Sequence, residues 1–87
     1  MSPDRAAVVA AIRALADFVE ARTDLTPPDR VLAQVSLPVP TPDNEVAVAV
    51  AAKALGVPAR RIDDHVWCDY TVSATPLVRY AVTGVLR

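Results

Sequence analysis

The sequence contains one cysteine, two glycines and four aromatic residues, with no long apolar run and no real excess of either charge. Each shortage excludes something. A single cysteine, Cys68, permits no internal disulfide and fits a reducing compartment. Two glycines, Gly56 and Gly84, cannot make a P-loop or a dinucleotide fingerprint, which need closely spaced glycines to bring the backbone up to phosphates. Nine Lys or Arg stand against ten Asp or Glu, for a net charge of -1 and a pI near 5.6. No global field therefore draws the chain to a polyanion, and nucleic acid is not the expected partner. The longest N-terminal apolar run, Ala6 to Ile12, is followed at once by Arg13, Asp17 and Glu20, far short of the roughly 18 residues of a membrane span. The expectation is a soluble cytoplasmic protein with neither a signal peptide nor a transmembrane span.

What is present is small and aliphatic. Hydrophobic residues make up 53% of the chain, and sixteen Ala and fifteen Val dominate them. A chain of 87 residues builds one core, so residues 1–87 read as a single domain burying roughly 60–65% of its unfolded surface. Small side chains bury little area each. A second copy can cover apolar surface that one copy cannot, which favours a homodimer.

Hydrophobic periodicity divides the chain into five segments. Val8, Ile12, Leu15, Ala16 and Val19 recur at spacings of three and four, with Arg5, Arg13, Asp17 and Glu20 largely elsewhere on the wheel, which predicts an amphipathic helix over residues 3–21. Ser2 is placed as its N-cap, with Pro3 in the first turn, and Pro27-Pro28 lies beyond its end. From Arg30 the period becomes two, with Val31, Ala33, Val35, Leu37 and Val39 on one face and Leu32, Gln34 and Ser36 on the other, which predicts a strand. Thr41 as N-cap, Pro42 at the first position and Gly56 as a left-handed terminator bracket a second helix, 42–55. That helix has no charge between Glu45 and Lys53, so it is predicted to be buried on more than one side. Residues 57–62 can hold a short strand. Strands are predicted at 65–72 and 77–86, paired as an antiparallel hairpin across "SATP". The order α-β-α-β-β predicts an α/β two-layer sandwich of the α+β kind, with a small sheet of three strands, or four, and two helices on one face.

The densest chemistry lies in "DDHVWCDY", residues 63–70. Strand geometry splits it, because successive side chains point to opposite faces. Val66, Cys68, Tyr70 and Val72 fall on the core face, and His65, Trp67, Asp69 and Thr71 on the other. Cys68 then points away from the only His, so it reads as a small buried hydrophobe rather than a nucleophile. Ser36 and Ser73 lack the glycine-rich elbow that a serine nucleophile needs. A metal-dependent or acid/base enzyme would have to use Asp63, Asp64, His65 and Asp69, and a zinc site needs three or four such ligands converging on one point. A nucleic-acid-binding regulator would have to use Arg60, Arg61 and Arg79, the first two beside the opposing Asp63-Asp64 pair. Trp67 with Arg79, Gln34, His65 and Asp69 instead forms a candidate protein-binding row on the open sheet face, since Trp and Arg are enriched at interface hot spots. Leu32 and Ala81 share that face.

Three segments, "AIRALADFVEARTDL" at 11–25, "AAKALGV" at 51–57 and the closing "YAVTGV", resemble a set of small proteins common in actinobacteria, their phages and mobile elements. In that set a similar helix precedes a strand, a helix ending in "LGV", and a hairpin. The resemblance brings no ligand, cofactor or catalytic residue with it. It implies an accessory protein of mobile-element or phage origin that acts through contacts. The expectation is a non-enzymatic interaction protein without cofactors, self-associating and binding a protein partner through the open sheet face or the helix 42–55.

Overall fold

The computed structural model describes residues 4–87. Helix α1 spans Arg5–Ala21, strand β1 Arg30–Ser36, helix α2 Asn44–Leu55, and strands β2, β3 and β4 span Arg60–Ile62, His65–Ser73 and Leu77–Val85. The four strands form one mixed sheet in the order β1-β4-β3-β2. The fold is therefore a small α+β structure of two helices and a four-stranded sheet. β3 and β4 make the antiparallel hairpin, β2 adds antiparallel to β3, and β1 pairs parallel with β4. The chain thus lays β1 on one edge and crosses by way of α2 to the far edge before filling the two central strands. Among the described residues no helix is long and apolar enough to cross a membrane.

The helix boundaries differ from the periodicity at their starts. The predicted cap Ser2 lies outside the described residues, and the N-cap is Asp4, whose carboxylate accepts from the Ala6 N–H at 3.2 Å. α2 begins two residues later than Pro42. Thr41 Oγ1 accepts from Asp43 N–H at 3.3 Å and the Thr41 carbonyl accepts from Asn44 N–H at 3.0 Å, so Thr41 to Asp43 form a turn rather than the first helical turn. The hydroxyl that was expected to cap the helix is used to close that turn. The C-terminus is as the sequence implies: Gly56 has φ 70°, and the Val57 N–H donates back to the Ala52 carbonyl at 3.0 Å, the left-handed termination that glycine supplies without steric cost.

The core is compact and lies at one end of the sheet. Val48 and Ala52 of α2 meet Val66, Cys68 and Val82, with Leu86 closing the end and Leu37, Ala51, Leu55 and Val57 around the margin. α2 approaches the sheet closely because Gly84 sits beneath it: a Cβ there would lie 3.0 Å from both Asn44 Cβ and Leu37 Cδ1. Asn44 uses that proximity. It is a buried polar side chain, and its amide donates to the carbonyls of Val39 and Val85, both at 2.8 Å. One side chain thereby ties the β1–α2 connection, the start of α2 and the end of β4. No buried side-chain nitrogen or oxygen among the described residues lacks a partner.

Only one flank of α2 is buried, against the expectation of burial on several sides. Val46 and Val50 are about two-thirds exposed, and α1 does not reach it. α1 sits on the same side of the sheet as α2 but stands off. No Cα of α1 comes within 8 Å of a strand or of α2, and none of its residues is buried. The radius of gyration is 15.1 Å, against about 12 Å for a compact chain of this length.

Asn44→Ala is expected to lower the unfolding free energy by about 1–3 kcal/mol, because it removes both hydrogen bonds of a buried amide, to the Val39 and Val85 carbonyls. Urea titration at fixed protein concentration would show this as a lower midpoint. A shift below about 0.5 kcal/mol would mean that water replaces the amide without cost.

Candidate interaction surfaces

The ladder registers resolve the sheet into two faces with different characters. On the face away from the helices, the cross-strand rows are Leu32, Arg79 and Thr71, then Gln34, Ala81 and Asp69, then Ser36, Thr83, Trp67 and Arg60, and finally Val85, His65 and Ile62. All five residues of the candidate protein-binding row, Gln34, His65, Trp67, Asp69 and Arg79, therefore share this face. They are not one cluster. Arg79 lies opposite Thr71, four residues from Trp67 along β3, a separation of about 13 Å. The arginine directly across from Trp67 is Arg60, a neighbour invisible until β2 is paired with β3.

The open face is organised around Trp67. The His65 and Trp67 rings meet edge to face with centroids 6.1 Å apart. His65 Nε2 and the Thr83 hydroxyl lie 2.7 Å apart in a hydrogen bond, and Gln34 donates to Ser36 Oγ at 3.0 Å. These groups floor a shallow cleft of about 530 Å³ lined by Gln34, Ser36, His65, Trp67, Ala81 and Thr83, among others. It combines a half-buried aromatic with hydroxyl and amide groups, and Arg60 lies across the ladder from Trp67.

The same registers disperse the alternatives. Asp63 and Asp64 form the two-residue turn between β2 and β3, with Asp63 in the left-handed region at φ 53°, a conformation that Asp tolerates. Asp64 pairs with Arg87 at 2.9 Å, while the Asp63 carbonyl accepts from Arg61 at 3.0 Å. His65 is taken by Thr83, and Asp69 lies four residues farther along β3. No three His, Cys, Asp or Glu among the described residues converge as a metal site would require. The three arginines also separate. Arg60 and Arg79 are on the open face in different rows, whereas Arg61 points to the helix side and pairs with Glu45 of α2 at 3.3 Å.

The helix-side face is the one whose coverage the sequence does not reveal. Outside the core under α2 it presents Val31, Ala33, Val35, Val78, Tyr80 and Tyr70, of which Val35, Tyr80 and Tyr70 are 39%, 37% and 42% exposed. Tyr70, assigned to the core by alternation, is thus on the helix side of the sheet but largely uncovered. Val72, given to the same face, has no ladder partner and falls in the register shift between Thr71 and Ser73, where alternation breaks down. Facing this strip across an open groove of about 460 Å³ are Ile12, Leu15, Ala16 and Val19 of α1, with Pro27, Pro28, Val31, Pro76 and Val78 completing the walls.

Residues 22–29 connect α1 to β1 along one end of the groove. Arg22 donates two bonds to the Asp24 carboxylate, at 2.8 and 2.6 Å, and its guanidinium stacks 5.7 Å from the Phe18 ring. The hydrogen bond from Arg22 holds the Asp24 carboxyl below its ordinary range, so its contribution is present at neutral pH and fades as pH falls through that lowered value. Both groups are fully solvated, so that contribution is small. Leu25 N–H donates to the Arg22 carbonyl at 3.1 Å, and the Asp29 carbonyl accepts from Leu77 N–H at 3.3 Å, with the Pro27-Pro28 pair between them.

No family model, curated protein or solved structure matches the chain.

Cys68 is fully buried beneath α2. A thiol reagent of the aromatic disulfide type is expected to leave it unmodified in the native protein for as long as the core stays closed, and to react at once in denaturant. Rapid native modification, followed by absorbance, would show that the thiol is accessible and reopen a reactive role for it.

Proposed function

We propose that this chain is a small non-enzymatic interaction protein that self-associates through its apolar side and offers its open sheet face to a protein partner. The observation that carries the reading is the unseated α1. An amphipathic helix of 17 residues obtains most of its stability from packing rather than from propensity, and this one has Val8, Ile12, Leu15 and Phe18 at 40–55% exposure. Contiguous apolar surface of that kind, facing an equally apolar strip of sheet, marks an association site.

The open face supports the second half of the reading. It carries one large aromatic, with hydroxyl, amide and guanidinium groups around it, and no carboxylate close enough to act with His65 as an acid/base pair. A partner docking there would bury Trp67 at the centre and leave Arg60, Arg79 and Asp69 at the rim, the arrangement of a small protein–protein interface. A cytoplasmic location and an accessory role of mobile-element or phage type fit the lone unpaired cysteine and the resemblance in the helical segments.

Multi-angle light scattering at tens of micromolar is expected to return a mass of two chains, and a monomeric mass would overturn self-association. For the open face, the double variant Trp67→Ala/Arg79→Ala is expected to keep that mass and lose partner capture from a lysate of the native host by at least about tenfold, since truncating hot-spot residues costs 1 kcal/mol or more each. Capture equal to wild type would rule out this face as the partner surface.

A further inference from the structure

We infer that the occupant of the bare half of the sheet is helix α1 of a second copy of this chain, exchanged reciprocally so that each copy's α1 lies beside the other copy's α2. The inference rests on the self-association just proposed and specifies its geometry.

The first argument is area. A compact monomer of 9.2 kDa exposes about 4,900 Å², whereas this chain exposes 6788 Å². The excess is on the order of 1,000–2,000 Å² per chain. Obligate homodimers bury about 2,000–5,000 Å² in total, or roughly 1,000–2,500 Å² from each copy. A second copy removes the right amount of surface.

The second argument is the number of helix seats. A four-stranded sheet is about 15–19 Å across, and helices pack side by side at 8–10 Å, so its helix side accepts two. α2 takes one, over β3 and β4. The other lies over β1 and β4, where Val31, Ala33, Val35, Val78 and Tyr80 form an apolar floor. The chain's own α1 is not in that seat: none of its Cα atoms comes within 8 Å of a strand.

The third argument is self-complementarity. Val8, Ile12, Leu15 and Val19 form a stripe with the 4-3-4 spacing of a helix that packs along one seam. The stripe and the floor belong to the same chain, so one twofold axis satisfies both at once, as an isologous interface requires.

The test uses two single variants of the full chain, Ile12→Cys and Tyr80→Cys, each at an already exposed position, with buried Cys68 left in place. Each is purified and cross-linked alone with a short thiol-reactive linker, and the two are then mixed, equilibrated and cross-linked together. The expected result is a covalent two-chain species in the mixture, up to about half of the dimers by statistical exchange, with peptide mapping joining residue 12 of one chain to residue 80 of the other. Each variant alone should give almost none. Linking of Ile12→Cys to itself would indicate α1–α1 pairing, and linking of Tyr80→Cys to itself would indicate sheet–sheet contact. Either result overturns the exchange, as does a dimeric mass with no link between chains. The double variant in one chain, Ile12→Cys/Tyr80→Cys, gives the remaining outcome: an internal link at monomeric mass would mean that α1 closes on its own sheet, overturning both the exchange and the self-association.

Discussion

The arrangement of this molecule depends on how closely α2 can approach the sheet, and that is decided where Asn44 meets Gly84. The missing side chain at Gly84 lets the start of α2 come down until Asn44 reaches the Val85 carbonyl. The same amide holds the Val39 carbonyl. Once this junction is made, the position of α2 along the strands is set. Val48 and Ala52 fall on Cys68, Val66 and Val82, and the row of Ala33, Tyr80 and Tyr70 is left outside that core. The buried core and the bare strip are therefore two results of one contact.

Composition makes the division sharper. A core of Val, Ala and Cys side chains fits under a helix at short range, but each residue removes little apolar area from water, at about 25 cal/mol per Å². The larger apolar groups of the chain, Ile12, Leu15, Phe18, Tyr70 and Tyr80, are outside that core. In most small domains such residues are the ones that stabilise the monomer. Here they line the surfaces that face no partner within the chain, so the interactions with the most to contribute are available to association.

Strand faces and helix limits were legible in the sequence because alternation and capping are local. The split of "DDHVWCDY" into a buried Cys68 and an outward Trp67 follows from a period of two, and the termination at Gly56 from the need for a left-handed residue. Coverage was not legible. Periodicity assigns Tyr70 and Val72 to the helix side of the sheet without saying whether a helix lies over them. The apolar surround of α2 invites burial on every side, although only Asn44, Val48 and Ala52 are enclosed. Strand order was also hidden, since the parallel pairing of β1 with β4 joins residues some forty-seven positions apart. The neighbour of Trp67 was missed for that reason: Arg60 belongs to a three-residue strand, while Arg79 merely shares the face. Asn44 carried a faint signal, a polar residue where the first buried turn of a helix would otherwise be apolar, but nothing local says that its partners lie on β4.

The two sheet faces differ in what binding them would require. On the open face two polar pairs already satisfy one another, His65 with Thr83 and Gln34 with Ser36. Anything docking there would have to offer equivalent hydrogen bonds or leave those pairs intact and gain from Trp67 and the charged groups around it. The helix-side strip has less of such a condition, because its Val side chains lose only water and its polar requirement is confined to the Tyr70 and Tyr80 hydroxyls. A surface that binds with so small a polar requirement is a hazard unless something always covers it. A second copy of the chain is the one occupant present wherever the chain is, and α1, with no Cα within 8 Å of its own sheet, has little intrachain packing to give up.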